Sequence, residues 1–205
     1  MQNIFDTHYK KYDSWYDRNK FAYLSELEAL MRVLPKKGKG LEIGVGTGRF
    51  AAALNVKTGI DLSVKMLKKA AQKGVRVSVA KAESLPFKNK TFDYAIIIIS
   101  LCFMQNPGRV LEEVYRILKN KGQIIVGIID KDSFLGKFYQ GKQSLFYKHA
   151  KFFNIPGIEQ ILQNYGFSNF NYYQTIFDLP VKVAKVQKPL KGFGKGGFIV
   201  IQARK

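Results

Sequence analysis

The run Leu41-Glu42-Ile43-Gly44-Val45-Gly46-Thr47-Gly48-Arg49-Phe50 constrains this chain more than any other stretch. Apolar residues lead into three alternate glycines and then resume, which predicts a strand end, a tight turn and the first turn of a helix. Glycine reaches backbone conformations closed to other residues and removes side chains that would hold a ligand away. In an open α/β sheet, the crevice at the carboxyl end of such a strand is the usual ligand site. The spacing alone does not choose the ligand, because several nucleotide-binding folds open this way. Asp61, at the end of the next predicted strand, supplies an acid that narrows the choice.

The rest of the chain continues the alternation of strand and helix. Strands are predicted over 56–61, 75–80, 92–99 and 123–129. Helices are predicted over about 47–55, from Leu62-Ser63 to Gly74, and from Pro107 through Leu118. Phe92 to Ile99 is an almost unbroken apolar run, the pattern of a strand covered on both faces in a parallel sheet. Val110, Leu111, Val114, Ile117 and Leu118 fall on one face of a helix that Pro107 is suited to begin. A helix over 157–165, a strand over 167–177 and a last strand over 197–203 complete the series. Such alternation predicts a doubly wound, mostly parallel α/β sheet in a single domain spanning 1–205.

Two aromatic segments flank this framework. In residues 3–20, Phe5, Tyr9, Tyr12 and Tyr16 fall three to four apart and suit one helical face, with His8 and Trp15 beside them. Leu24, Leu27, Leu30, Met31 and Leu34 continue as a second helix. Residues 1–34 are therefore expected to form a helical cap, either packed over the domain or acting as a lid on the crevice. Between Asp130 and Pro156 the rhythm breaks, and Phe134, Phe138, Tyr139, Phe146, Tyr147, His149, Phe152 and Phe153 accumulate. This segment, 131–156, is expected to form helical excursions over the active face.

Composition excludes several classes. At 46% hydrophobic and 24% charged residues the chain is neither disordered nor collagen-like. No apolar run is long enough to cross a bilayer, and the start Met1-Gln2-Asn3 lacks the basic and apolar parts of a signal peptide. One cysteine, Cys102, excludes an intrachain disulfide framework and suits a reducing, cytoplasmic setting. His8 and His149 lie far apart without ligand spacing, so no metal is expected. Thirty-four basic against fifteen acidic residues leave a net charge of +19. Such a field attracts nucleic acid or acidic partners. The positive residues are mostly scattered lysines, however, and a solvated lysine surface accounts for them as well as an RNA footprint does.

Taken together, Leu41–Phe50, Asp61-Leu62-Ser63, Ala82-Glu83-Ser84-Leu85-Pro86-Phe87, Phe92-Asp93 and Val110–Lys119 resemble the class I S-adenosylmethionine-dependent methyltransferases. The similarity is greatest to their small-molecule branch, which holds the ubiquinone/menaquinone-type enzymes, and covers residues 38–130. It implies a Rossmann-like, seven-stranded sheet with an antiparallel last strand, and S-adenosyl-L-methionine as cofactor. It also implies that Gly44, Gly46 and Gly48 face the methionine part and the ribose edge, with Glu42 beside the loop near the cationic end of the methionine. Asp61 would accept both ribose hydroxyls, a carboxylate's natural task. Leu62 and Met66 would pack on the adenine, and the Ala82 backbone N–H would meet its edge. Glu83 either takes the adenine amino group or is a plain loop acid, and Lys81 stands where the family often has an acid. Ser100 and Cys102 follow strand four, where donor and acceptor meet.

The acceptor is less defined. Ser100-Leu101-Cys102-Phe103 replaces the Asn/Asp-Pro-Pro-aromatic motif of the DNA amino-methyltransferases, which disfavours that chemistry. Cys102 reads as a small buried side chain, and candidates for a general base are His8, His149 and Asp130. Tyr9, Tyr12, Trp15, Tyr16, Phe138, Tyr139 and Phe146 are expected to line the acceptor site or its lid, and aromatic faces there could also steady a sulfonium. These features favour a small-molecule acceptor. RNA or protein methylation, a dinucleotide-dependent oxidoreductase and a non-catalytic cofactor-binding protein are the competing readings.

Overall fold

A computed structural model describes residues 2–142 and 144–205. The glycine-rich run forms as expected: β1 (Gly40–Ile43) leads through the turn into α3 (Arg49–Ala53). Then follow β2 (Thr58–Asp61), α4 (Val64–Gln72), β3 (Arg76–Val79), β4 (Phe92–Ile98), α5 (Pro107–Ile117) and β5 (Leu118–Ile129). Two helices precede this series, α1 (Gln2–Arg18) and α2 (Lys20–Met31). After it come α6 (Phe134–Gly141), α7 (Ile155–Asn164), β6 (Ser168–Thr175), β7 (Leu190–Lys191) and β8 (Phe198–Arg204).

The strands form one sheet in the order β3-β2-β1-β4-β5-β8-β6-β7. The first five are parallel, and β8 enters antiparallel between β5 and β6. This is a mixed α/β, Rossmann-like fold with a mostly parallel sheet. It has one strand more than the seven expected: β7, two residues long, pairs with the edge of β6. β5 also starts earlier than expected, at Leu118, through pairing with β4 that shifts register between Phe92 and Tyr94.

β4 shows why this sequence makes this sheet. Tyr94, Ile96 and Ile98 enter the core on one face, and Ala95 and Ile97 enter the core on the other. Alternation with period two thus buries both sides of the strand. α5 covers the second face with Val110, Leu111, Val114 and Ile117. Its start is set by the Asn106 side chain, which accepts the Arg109 backbone N–H, with Pro107 in the first turn.

α2 does not lie as its leucines predict. Its buried face is Ala22, Ser25, Glu26, Leu27, Ala29 and Leu30, while Met31 is half exposed. Two polar residues therefore occupy the inner face. Among its described residues, the 131–156 segment supplies α6, a 3-10 turn at Tyr147–His149 and the start of α7.

Candidate active site

At the carboxyl ends of β1 and β2 the backbone turns away sharply. Gly44, Gly46 and Gly48 have φ of +74, +51 and +76°. A Cβ on Gly44 would lie 2.6 Å from both Cβ and Oγ of Ser100, so only glycine lets the ends of β1 and β4 approach here. Ser100 fastens that approach by donating its hydroxyl to the Ile43 carbonyl at 3.0 Å. Gly48 serves packing instead, since its Cβ would lie 2.8 Å from Cα of Ala70 in α4.

Asp61 closes the loop from the neighbouring strand. Oδ2 accepts the Gly46 N–H at 2.9 Å and Oδ1 accepts the Ser63 N–H at 2.8 Å. Burial pushes its carboxyl above the usual range, and the bonds from Ser63, Gly46 and Leu62 oppose that shift. Gly44, Gly46, Asp61, Leu62, Met66, Ala82, Glu83 and Ser100 all border one crevice of about 370 Å³. Lys81 borders it too, as do Phe5, Tyr12, Ile99, Phe103 and Met104.

The third loop is held in place from below. Glu113 accepts the Leu85 N–H at 2.7 Å, and Arg116 donates to the carbonyls of Leu85 and Phe87 while pairing with Glu113 at 2.8 Å. The charged run on α5 is therefore a clamp on Ala82–Phe87. Glu83 Oε1 meanwhile accepts the backbone N–H of Gln105 at 3.1 Å, bracing this loop against the one that follows β4.

α1 crosses the mouth of the crevice. Asp6 accepts the Ser63 hydroxyl and the Lys65 N–H at the start of α4. Asp13 accepts from Thr47 Oγ1 and Arg49 Nε, and Asp17 also pairs with Arg49. The opposite stripe of α1 is aromatic. Phe5 meets Tyr12, Phe103 and Phe146 with ring centroids 5.8, 5.1 and 5.6 Å away, and Tyr12 shares a hydrogen bond with Tyr16.

Behind Tyr12 lies a second, larger chamber of about 500 Å³, bordered by Trp15, Tyr16, Phe138, Tyr139, Phe146 and Tyr147 among others. It shares Tyr12, Ile99 and Phe103 with the crevice. Ile99 holds φ +53°, a conformation that a β-branched residue adopts at a cost of ~1–3 kcal/mol and that clusters at functional sites.

A model of the methyltransferase domain matches residues 41–126, the stretch that builds the crevice. A crystal structure from Thermotoga maritima, described as a SAM-dependent methyltransferase and possible histamine N-methyltransferase, is 42% identical. The two cover each other completely, with a TM-score of 0.97. The chain belongs to the S-adenosylmethionine-dependent methyltransferases. An uncharacterised protein of Methanocaldococcus jannaschii is 49% identical over 99% of both chains. The ubiquinone/menaquinone biosynthesis C-methyltransferase of Rickettsia bellii is 28% identical over 79% of this chain and 71% of its own length.

Several residues singled out in the sequence of this methyltransferase stand elsewhere than expected. Glu42 is 2% exposed inside β1 and does not border the crevice. Burial drives its carboxyl well above the usual range, while the Ala51 backbone N–H binds it and lowers it. Gly48 does not border the crevice and packs against Ala70 of α4. Tyr9, on α1, borders neither cavity.

The three candidate bases also border neither cavity. His8 occupies a kink in α1 with φ −111 and ψ 21°, and His149 is exposed in its 3-10 turn. Asp130 is buried at the end of β5, where its side chain accepts the Asp132 N–H. Cys102 borders a small apolar space beside the large chamber, and burial pushes its thiol up to about 12, so it stays protonated.

Glu26 was missed. It is 3% exposed, borders the large chamber, and has an Oε2 without a hydrogen-bond partner. The available signal was its place, with Ala22, Ala29 and Leu30, at helical spacing on one face of α2.

Proposed function

We propose that this methyltransferase holds S-adenosylmethionine in the smaller crevice and a small-molecule acceptor in the aromatic chamber, with α1 as the lid over both. The observation that carries the reading is the common wall of Tyr12, Ile99 and Phe103 between the two spaces. Bound in the crevice, S-adenosylmethionine would supply a methyl group already activated by its sulfonium.

The residues present suit that cofactor. The backbone at Gly44 and Gly46 leaves room for the methionine part. Asp61 keeps lone pairs beyond those used by Gly46 and Ser63, and would accept the ribose hydroxyls. Leu62 and Met66 offer an apolar surface for the adenine, with Ala82 and Glu83 at its edge. The finer placement in the small-molecule branch is supported by the 28% identity to the Rickettsia C-methyltransferase.

For transfer, the protein's task is alignment. The shared wall would present the acceptor atom in line with the methyl group, and such orientation is worth several kcal/mol of barrier, up to roughly 7–11 in favourable cases. No histidine stands among the described residues that border the two cavities, and the acids there are Glu26, Asp61 and Glu83. This suits an acceptor that is nucleophilic without strong base assistance.

RNA methylation is the second reading, favoured by the +19 charge. Against it, Lys182, Lys185, Lys188, Lys191 and Lys195 border neither cavity. The two separate when the protein is given S-adenosylmethionine labelled in its methyl group together with a fractionated cell extract. Label in the low-molecular-weight fraction is expected, and label confined to RNA or protein would sink the small-molecule reading.

A further inference from the structure

Glu26 has no structural partner that explains it. Its neighbour Ser25, equally buried, donates to the Phe21 carbonyl at 2.6 Å and accepts the Gln187 N–H at 2.8 Å. Glu26 Oε2 has no such bond, although the residue is only 3% exposed. A buried carboxyl left unbonded costs free energy that glutamine or leucine at the same place would avoid, so its presence calls for an explanation. The chamber it borders is otherwise aromatic, with Tyr12, Trp15, Tyr16, Tyr139 and Tyr147 in its wall. A single acid among aromatic faces is the environment that receives an organic cation: the rings attract it through their π-systems and the carboxylate neutralises it.

The cations that also border the chamber do not satisfy this acid. Lys11, Arg18 and Lys142 are all exposed. Arg18 donates to Ser14 Oγ at 2.7 Å, and the Lys142 ammonium sits 5.4 Å from the Phe138 ring centroid. Burial alone sets the protonation of Glu26 and pushes its carboxyl up to about 8, with no basic side chain lowering it.

From this we infer that the aromatic chamber takes an organic amine as acceptor and that Glu26 is the residue that selects it, by pairing with the amine's cationic nitrogen. The inference rests on the small-molecule reading given above and names the class of molecule that the chamber would take. An ammonium has no lone pair for transfer. Once its proton passes to Glu26, the neutral amine nitrogen can form the N–C bond as the methyl–sulfur bond breaks, S-adenosylhomocysteine leaving as the neutral thioether and the methylated nitrogen carrying the positive charge. At pH 7 the empty chamber holds Glu26 protonated, and uptake of a cationic amine therefore releases that proton to solvent.

Calorimetry on protein saturated with S-adenosylhomocysteine tests this. The probes are 2-phenylethylamine, tryptamine and n-hexylamine, each against the alcohol of the same skeleton, in buffers of different ionisation enthalpy at pH 7. The amines are expected to bind at least tenfold tighter than the alcohols and to release close to one proton. In Glu26→Gln the preference should fall to within twofold and the proton release should vanish, with S-adenosylhomocysteine affinity unchanged as the control for folding. Alcohols equal to amines, binding of neither series, or a preference kept in Glu26→Gln would overturn the amine assignment. Labelled methyl found only in RNA or protein would instead overturn the reading beneath it.

Discussion

Asp13 and Arg49 tie the first helix to the glycine loop. The guanidinium donates from Nε and Nη2 to the two Asp13 oxygens at 2.8 and 2.9 Å, and Thr47 Oγ1 adds a third bond at 2.6 Å. The Arg49 bonds hold the Asp13 carboxyl below the usual range, against a desolvation effect of opposite sign. One residue of the glycine-rich run thus anchors the helix that covers the crevice.

Arg49→Gln should therefore loosen α1 without unfolding the sheet. Charge-assisted bonds of this kind contribute about 1.5–3 kcal/mol when shielded, and partial exposure of both partners lowers the expected loss to roughly 1–2 kcal/mol. Amide hydrogen exchange should rise along α1 and stay unchanged in β4 and β5. If α1 amides exchange at the wild-type rate, the clasp does not hold the lid. The same exchange should rise in the wild type at high salt, because the pair is partly exposed.

Gly44→Ala places a methyl group against Ser100 and forces a non-glycine residue to φ +74°. The backbone cost is about 1–2 kcal/mol and the overpacking cost about 1–3 kcal/mol. Urea denaturation should show a loss of about 2–5 kcal/mol. Adding Ser100→Gly removes the obstacle but also the bond to Ile43, so the double variant should be less destabilised than the sum of the singles by about 1–2 kcal/mol. Strict additivity would mean that the two residues do not meet.

The parts of this protein that were legible in the sequence are those in which local pattern and tertiary role coincide. β4 is apolar on both faces because both faces are covered, so its sequence announces a central strand. Asp61 and the glycines stand where chain direction changes, and their residue types suit few other tasks. Glu26 was harder to see because the leucines of α2 outnumber it, and its inner face is decided by packing against β6 and β8 rather than by leucine spacing. Glu42 and Gly48 fit the expected motif in sequence, but Glu42 is enclosed within β1 and Gly48 packs onto α4. The α5 acids and arginines read as a family signature, and only the fold shows them gripping Ala82–Phe87.

Asp61→Asn tests the donor crevice. One carboxylate oxygen becomes an N–H₂ group set against either Gly46 or Ser63, and a charged acceptor for the ribose is lost. Titration with S-adenosylhomocysteine should show affinity reduced about 10–100-fold, the range expected for a hydrogen bond to a charged group. Near-ultraviolet circular dichroism would verify that the variant is folded. Affinity within twofold of wild type would exclude Asp61 from cofactor binding.

Glu26 also makes a prediction about stability. Burial raises its folded-state pKa to about 8, above the ordinary 4.5, so the folded protein binds the proton more tightly than the unfolded chain does. That stabilisation is complete below about pH 4.5 and is lost as pH rises through about 8, at up to ~1.4 kcal/mol per unit. Tyr12 and Tyr16 of α1, Tyr139 of α6 and Tyr147 in the 3-10 turn surround the chamber, and burial keeps all four neutral across this range. Glu42, Asp61 and Asp130 are raised as well, so the contribution of Glu26 is read as the difference between wild type and Glu26→Gln. Urea melts at pH 5, 6, 7 and 8 should show the variant gaining on the wild type at each step, by several kcal/mol in all. A difference that stays flat with pH would mean that Glu26 is ionised in the folded protein and already has a partner.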